Sequence, residues 1–449
     1  MANVNAESDV ELETTVAVQV VTKDNDSFQL DIDKLKEILE TDEIKDRYVV
    51  VVSIAGAFRK GKSFLLNFFI KYLNAQYKRR DVTEWLYETA HNGAFGGFAS
   101  KSGRKPITSG IWMWREIFTH ELANGDKIAI ILIDTQGIFD HQSTPKESTT
   151  IFALSTMLSS VQCYNLKENI QEDDLQHLEL FTQYGRLALN QSKETPFQKL
   201  LFIVRDWPYA EEGFGFDGQK VLDEILAETN VQSTDMHQMR ENIKMNFEKI
   251  EAFLMPYPGK NVAFGPFSGT LQEIDKEFLD YVKILVPSLL APENLAIKKI
   301  NGQKVRARDW IKFLEKYFDV FSGDKLPKPT FILNATAELS NQILYDECMK
   351  HYVDKMEKMV RKVDSFIEEN VLTRCHIQAE NEAVAKFSEK PNIGGDKITS
   401  SFVSRIKEKI AQKYTSLKNE NVIKRRNYNE YIEGLRHEIR ANFESTIHR

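Results

Sequence analysis

The stretch that decides the fold runs from Tyr48 to Ser63 and reads YVVVVSIAGAFRKGKS. Its first half contains four consecutive valines, a composition typical of a strand buried on both faces in a helix-covered parallel sheet. Its second half, from Gly56 to Ser63, has the G-x-x-x-x-G-K-S spacing of a phosphate-binding loop. The apolar run that follows, 64–70, is expected to form a helix whose N-terminus favours an anion. Strand, loop and helix in this order predict a nucleotide site.

The residue types in this loop suit the handling of phosphate. Its glycines let successive backbone N–H groups converge on phosphate oxygens, and Lys62 is expected to reach the β- and γ-phosphates. Ser63 is expected to bind a Mg²⁺ ion through its hydroxyl. The predicted nucleotide-binding residues of the loop are Gly56, Arg59, Lys60, Gly61, Lys62, Ser63 and Phe64. Lys62 also belongs to the predicted catalytic set.

A second motif, Asp134-Thr135-Gln136-Gly137, ends the apolar strand predicted over 127–133. An aspartate at a strand tip can hold a magnesium-bound water, and the N–H of Gly137 can reach the γ-phosphate. Gln136 is placed in both the nucleotide-binding and the catalytic sets. Thr108, in an irregular polar loop before the strand, is predicted to complete the magnesium shell, with Ser109 as the alternative. The predicted metal ligands are therefore Ser63, Thr108 and Asp134.

A third polar pair, Arg205-Asp206, follows the apolar run 199–204. An aspartate at this strand tip can accept hydrogen bonds from the N1–H and N2–H₂ groups of guanine, a pair of donors that adenine lacks. The usual N/T-K-x-D base-reading motif is not found after the loop. The residues alone leave a polar strand cap as the alternative.

Composition excludes several classes of protein. The 449 residues carry a net charge of −7, which gives no basic surface for nucleic acid. The 3 cysteines stand far apart and predict neither a disulfide framework nor a metal site, so a reducing cytosol fits best. We find no signal segment and no run of 18 apolar residues, and the chain as written is expected to be cytoplasmic and not to cross a membrane.

The chain is predicted to hold an α/β domain, with a mostly parallel sheet covered by helices, followed by an all-α helical bundle. Thr15–Val21 alternate like an edge strand, and 151–189 is predicted to be helical. Asn124-Gly125-Asp126 predicts a hairpin between strands at 112–122 and 127–133. The predicted boundaries are 1–27 for a segment without structure, 28–322 for the nucleotide-binding domain, 323–329 for a proline-stiffened linker, 330–420 for the bundle and 421–449 for an amphipathic helix.

Taken together, the motifs resemble those of the atlastin and guanylate-binding-protein GTPases of the dynamin superfamily. The resemblance rests on Gly56–Ser63, Asp134–Gly137, Arg205-Asp206 and a segment read as a helix, 154–165, and extends over about 28–420. It implies that Arg205 and Asp206 read guanine, that Val262 lies in the guanine cap, and that Arg59 is a built-in arginine finger of the catalytic set. It also implies Mg²⁺-dependent hydrolysis of GTP to GDP and phosphate, nucleotide-dependent homodimerisation, and fusion of endoplasmic-reticulum membranes.

Some positions depart from the family pattern. Gly265 stands near the position where atlastins usually carry an asparagine, and Lys101 stands where they tend to show arginine. Atlastins continue into a membrane hairpin, whereas 421–449 predicts an amphipathic helix that packs on the bundle or a partner, or lies on a membrane. The cytosolic face of the endoplasmic reticulum is expected if the parent protein carries an anchor. The alternatives are a guanylate-binding-like defence GTPase, against which the short bundle argues, and a GTP-gated scaffold without fusion activity.

Overall fold

The structure is a computed structural model that describes residues 17–24, 27–57, 61–87, 97–98, 110–137, 144–227, 234–265, 267–361, 366–390 and 394–447. The strands are β1 (Ala17–Asp24), β2 (Ser27–Leu30), β3 (Tyr48–Gly56), β4 (Ile111–Trp114), β5 (Phe118–Glu121), β6 (Lys127–Thr135), β7 (Val161–Lys167), β8 (Phe197–Arg205), β9 (Phe247–Leu254), β10 (Lys299–Ile300) and β11 (Gln303–Lys304). The helices are α1 (Ile32–Leu39), α2 (Lys62–Leu73), α3 (Pro145–Leu158), α4 (Glu172–Gln176), α5 (Glu179–Ser192), α6 (Gly218–Leu226), α7 (Thr234–Asn246), α8 (Lys260–Phe264), α9 (Lys276–Leu290), α10 (Ala307–Phe321), α11 (Pro329–Arg361), α12 (Glu369–Ser388) and α13 (Gly395–Ile447).

The chain divides into two compact units. One comprises residues 1–190 with 194–335, and the other 191–193 with 336–449. In the first unit, nine of the described strands form one sheet in the order β2-β1-β4-β6-β3-β7-β8-β9, with β5 paired to β6 beyond the end of β4, and β10 and β11 form a separate two-stranded sheet. Strands β6, β3, β7, β8 and β9 run parallel, whereas β1, β2, β4 and β5 pair antiparallel to their neighbours. The predicted mostly parallel sheet is confirmed.

Helices cover both faces of the central strand β3. Val50, Val52 and Ile54 belong to the apolar core that α2 and α9 form on one face, and the alternating Val49 and Val51 point to the other. On that other face α3 packs against α10, and the indole N–H of Trp310 donates to the carbonyl of Leu158 at 3.0 Å. This two-sided burial explains the run of four valines.

The region 151–189, predicted to be helical, contains a strand, and that prediction was wrong. Helix α3 ends at Leu158, Ser159 adopts an extended conformation, and β7 enters the sheet beside β3. The segment 154–165, read as one helix, is thus half helix and half strand. Six of the seven residues of β7 are buried, so its sequence lacks the polar alternation that would have marked a strand.

The N-terminal boundary also needs correction. The segment 1–27 was predicted to lack structure, yet Ala17–Asp24 form β1, which pairs with β4 and β2. The alternation seen over Thr15–Val21 indicated this strand, and tertiary pairing extends it to Asp24. The predicted hairpin at 124–126 joins β5 to β6, and the strand predicted over 112–122 is interrupted between β4 and β5.

The second unit is an all-α bundle built from α11, α12 and α13, as predicted. Its core includes Tyr352 and Met356 of α11, Phe387 of α12, and Ile406 and Ile410 of α13, all fully buried. Helix α10 ends at Phe321 and α11 begins at Pro329, which places the predicted linker residues 323–328 between two helices.

The boundary predicted at residue 421 is wrong, because α13 continues from Gly395 to Ile447 without a break. The ring of Tyr428 contacts Phe366 at 5.7 Å, but Ile439 and Phe443 are 66% and 67% exposed. The later part of the helix therefore leaves much of its apolar side chain surface uncovered. Among the described helices, none is both long and apolar enough to span a membrane.

Candidate nucleotide-binding site

Three predicted motifs meet at one edge of the sheet. The parallel strands β3, β6 and β8 end at Gly56, Thr135 and Arg205 respectively, and Ile54 of β3 is paired with Asp134 of β6. Since the carboxyl ends of parallel strands lie at the same edge, the phosphate loop, the D-T-Q-G motif and the R-D pair converge there. This edge is the usual place for a ligand in an open α/β sheet.

The phosphate loop leads directly into α2. Gly61 precedes the helix with φ +72°, a left-handed conformation that favours glycine, and the N-terminus of α2 begins at Lys62. Lys62 is 6% exposed, and its ammonium donates to the carbonyl of Ala57 at 3.2 Å. The buried cation and the helix N-terminus together favour an anion at this point.

Ser63 and Asp134 form the contact between the loop and the second motif. The Ser63 hydroxyl donates to Asp134 Oδ2 at 2.5 Å. Asp134 is 1% exposed, and its other oxygen, Oδ1, is buried and has no hydrogen-bond partner in the part of the chain that the structure describes. A buried carboxylate oxygen without a donor is costly, and a hydrated Mg²⁺ ion would satisfy it. The hydroxyl and the carboxylate fit the oxygen ligands that Mg²⁺ prefers.

Electrostatics at this point are dominated by burial. Burial raises the pKa of the Asp134 carboxyl to about 6, because removal from water disfavours the charged form. The Lys62 ammonium and the Ser63 hydroxyl favour the charged form and oppose the increase. A nearby cation would favour ionised Asp134 further.

Arg205 contacts the phosphate loop. A Cβ atom added to Gly61 would lie 2.8 Å from Arg205 Nη1, so the guanidinium packs directly over this glycine. Burial lowers the pKa of Arg205, and the neighbouring Asp206 carboxylate opposes the decrease. Of the predicted pair, Arg205 therefore lies against the phosphate loop, and Asp206 is the next residue in the chain.

Asp206 adopts a left-handed backbone conformation with φ +56°, which aspartate tolerates better than most residues. Hydrogen bonds hold the chain on both sides, from Glu168 N–H to Arg205 O at 2.8 Å and from Trp207 N–H to Met255 O at 3.1 Å. The Asp206 Oδ1 atom is buried and has no partner among the described residues. It is therefore an acceptor suited to a donor-rich ligand such as guanine.

Gln136 lies at the tip of β6, but its side chain is engaged. Its Oε1 atom accepts from the N–H of Gly110 at 2.7 Å, and its backbone N–H donates to the Gly110 carbonyl at 2.8 Å. Gly137 follows and is buried. The D-T-Q-G motif is thus tied to the chain that enters β4.

Phe64 and Val262, both predicted to bind the nucleotide, pack their side chains in or against the apolar core. The Phe64 ring packs in the core against Phe68 and Phe267, with centroids 5.2 and 5.7 Å away. Val262 lies in α8 and packs partly buried against the same core. Gly265 ends α8, and a Cβ there would lie 2.9 Å from the carbonyl oxygen of Asn261. An asparagine at position 265 would require this turn to shift.

Several predicted residues lie outside the residues that the structure describes. They are Arg59, Lys60, Thr108, the alternative Ser109 and the family-departing Lys101. Their assigned roles remain predictions from sequence and resemblance.

Asn67 is a buried polar residue of α2 that sequence reasoning missed. Its amide oxygen accepts from the Phe98 N–H at 2.8 Å, and its amide nitrogen donates to the Phe98 carbonyl at 3.2 Å. Phe98 in turn packs on Trp114, with centroids 5.6 Å apart. A lone asparagine within the apolar run of α2 was the signal that could have identified it, because a buried amide needs a partner.

A buried polar network behind the phosphate loop was also missed. The Ser53 hydroxyl of β3 donates to Gln162 Oε1 at 2.8 Å, and Ser155 of α3 donates to Ser53 Oγ at 3.0 Å. All three side chains are buried. The network joins the loop-bearing strand to β7 and α3.

Comparisons with known proteins agree with this geometry. The guanylate-binding protein N-terminal domain matches residues 25–299. An atlastin from Drosophila melanogaster is 44% identical over 409 residues, which cover 90% of this chain and 75% of that protein. Atlastin-1 from Bos taurus is 42% identical over 401 residues (88% and 71%), and atlastin-2 from Homo sapiens is 39% identical over 416 residues (92% and 70%).

Proposed function

This chain belongs to the atlastin family of dynamin-superfamily GTPases, and from that premise we propose that it is a Mg²⁺-dependent enzyme whose GTP cycle drives homodimerisation and membrane fusion. Members of this family hydrolyse GTP to GDP and phosphate, and this chain is a GTP-hydrolysing enzyme. The magnesium dependence, the dimer and the membrane step are the proposed parts.

The observation that carries the proposal is the Ser63–Asp134 contact at 2.5 Å, beside which Asp134 Oδ1 has no partner among the described residues. Ser63 and Asp134 would hold the Mg²⁺ ion, which when bound neutralises charge that develops on the phosphates. Lys62, held by the Ala57 carbonyl, would exchange that partner for the β- and γ-phosphates. The buried Gly137 would present its N–H to the γ-phosphate.

The preference for guanine is proposed to come from Asp206. Its buried Oδ1 would accept from the base, while Arg205 supports the phosphate loop from the same strand end. Leaving this acceptor without donors, as adenine would, costs about 1–3 kcal/mol for a buried group. Val262 would close the apolar side of the base pocket from α8.

Arg59 is proposed to act as the arginine finger, by resemblance to the family. It would stabilise the charge that develops on the transferred phosphoryl group once two nucleotide-binding domains meet. Thr108 would complete the metal shell.

By resemblance to the atlastins, the GTP cycle is proposed to tether and fuse endoplasmic-reticulum membranes, with the enzyme on their cytosolic face. Lipid mixing between liposomes that carry the artificially tethered chain tests this step. Mixing that requires GTP and Mg²⁺, and that stops with Lys62→Ala, supports fusion. GTP hydrolysis without lipid mixing would instead favour the GTP-gated assembly scaffold, and a defence GTPase of the guanylate-binding type would likewise give no mixing.

A further inference from the structure

Gln136 and Gly110 are joined by two hydrogen bonds. The backbone N–H of Gln136 donates to Gly110 O at 2.8 Å, and Gly110 N–H donates to Gln136 Oε1 at 2.7 Å. The first bond extends the β4–β6 pairing, in which Ile111 faces Thr135, by one residue. The second replaces a backbone acceptor with a side-chain acceptor. Both polar groups of Gly110 are thus satisfied by one residue that is 4% exposed.

Gly110 is also confined on its other side. Its φ is +70°, and a Cβ atom there would lie 1.8 Å from the carbonyl oxygen of Val21 in β1. Position 110 therefore admits only glycine without a backbone shift. The glycine is held between β1 and the side chain of Gln136.

The orientation of the Gln136 amide follows from chemistry. A buried N–H needs an acceptor, so the oxygen and not the nitrogen must face the Gly110 N–H. The amide nitrogen, Nε2, is buried and has no hydrogen-bond partner in the described ranges. The two ends of the amide are therefore separable: the acceptor holds Gly110, and no described residue accepts from the donor.

Gln136 lies between the two groups of its motif that face the nucleotide, since Asp134 carries the buried Oδ1 and Gly137 the N–H. From these contacts we infer that Gln136 is a positioning residue, which fixes Asp134 and Gly137 by holding the tip of β6 on Gly110. In this arrangement it does not orient the attacking water through Oε1. The inference rests on the proposed function, because it assumes that Asp134 and Gly137 act on GTP and its metal.

Gln136→Met tests the inference, because methionine has a similar length and cannot accept the Gly110 N–H. Hydrogen exchange at the Gly110 amide and steady-state GTP hydrolysis are measured on the full chain. We expect Gly110 exchange to be faster and kcat to fall at least about tenfold, which is about 1.4 kcal/mol. The KM for GTP is expected to stay within about threefold, since Lys62 and the loop are untouched.

Two further variants separate the ends of the amide and guard against misfolding. Gln136→Asn keeps the amide but is one methylene shorter, so it should behave like the methionine variant. Gln136→Glu keeps the acceptor and loses the donor, so Gly110 should stay protected; kcat is compared only among the uncharged variants, because a carboxylate here adds a negative charge beside Asp134. An unchanged midpoint of thermal unfolding shows that each variant is folded.

The inference is overturned if Gln136→Met leaves kcat unchanged, or if kcat falls while Gly110 stays protected. A wild-type chain that does not respond to Mg²⁺ would contradict the proposed function instead, since the Gly110 exchange experiment needs no metal.

Discussion

Ser63 and Asp134 lie 71 positions apart in the chain, yet the Ser63 hydroxyl donates to Asp134 Oδ2 at 2.5 Å. Strand β3 leads through the phosphate loop to Ser63 at the start of α2, and the adjacent β6 carries Asp134. The serine hydroxyl occupies only one of the two carboxylate oxygens. The contact therefore joins two motifs, and no described residue donates to the second oxygen, Oδ1.

If this carboxylate acts through a metal, Asp134→Asn should remove most of the Mg²⁺ dependence of nucleotide binding. An amide is a weaker ligand for Mg²⁺ and carries no charge, but it still accepts from Ser63. Mg²⁺ should increase the affinity of the wild type for a fluorescent GTP analogue. We expect this increase in affinity to be at least about tenfold smaller in the variant, a loss of about 1.4 kcal/mol. Asp126→Asn is the matched control, because Asp126 pairs with Lys304 instead. An equal Mg²⁺ effect in all three proteins would rule out Asp134 as a ligand.

The assignment of Asp206 to guanine predicts a change of base preference. Asp206→Asn should bind GTP at least about tenfold more weakly, because an amide places a donor opposite the donors of guanine. The same variant should gain affinity for xanthosine triphosphate, in which a carbonyl replaces the amino group. Competition binding with GTP, ATP and xanthosine triphosphate measures both effects. Equal binding of ATP and GTP by the wild-type chain would contradict the assignment, and Asp217→Asn on an exposed turn serves as the control.

The phosphate loop and its flanking elements were predictable because local sequence determines them. The valine run of β3, the spacing from Gly56 to Ser63 and the apolar start of α2 each carry their own signal. The tips of β6 and β8 were predictable for a similar reason, since each polar motif ends an apolar run. Their meeting at one edge then follows from the geometry of parallel strands.

Other features depend on contacts between distant residues and have no local signal. Strand β7 was assigned to a helix because its residues are almost all buried, and burial on every side removes periodicity. The Gln136–Gly110 contact joins residues 26 positions apart and needs the β4–β6 pairing to form. The strand β1 likewise becomes recognisable over its full length only when β4 pairs with it.

Lys298 predicts a pH dependence of stability that is separate from the site. It is 1% exposed, donates to the Ser159 carbonyl at 3.0 Å, and has a pKa that burial lowers to about 7. Between about pH 7 and pH 10 the unfolded chain binds a proton that the folded chain does not, so this lysine makes the folded state more stable as pH rises. Below pH 7 the lysine is charged in both states and its burial costs the most.

Lys298→Met should therefore remove this rise. We expect the unfolding free energy of the variant, minus that of the wild type, to fall by on the order of 2–3 kcal/mol from pH 7 to pH 9.5. All 5 tryptophans lie in the sheet-containing unit, so their fluorescence during denaturant unfolding reports on it. Lys299→Met is the matched control, since Lys299 is 38% exposed. The same pH response in both variants would show that Lys298 does not titrate in this range.

Arg59 gives the strongest kinetic prediction. The backbone N–H groups and Lys62 suffice to bind phosphate, so Arg59→Ala should bind GTP nearly normally but hydrolyse it roughly 10³-fold more slowly, since fingers contribute roughly 10³ to 10⁵ in rate. Arg59→Lys should not restore turnover, because a point charge cannot reproduce the planar fork. Single-turnover hydrolysis measures the rate, and light scattering with a GDP–aluminium fluoride complex measures dimerisation, which should be lost. Arg115→Ala, which removes an arginine paired with Glu37 on the surface, is the control. Wild-type turnover of Arg59→Ala that still accelerates with protein concentration would place the finger at another residue.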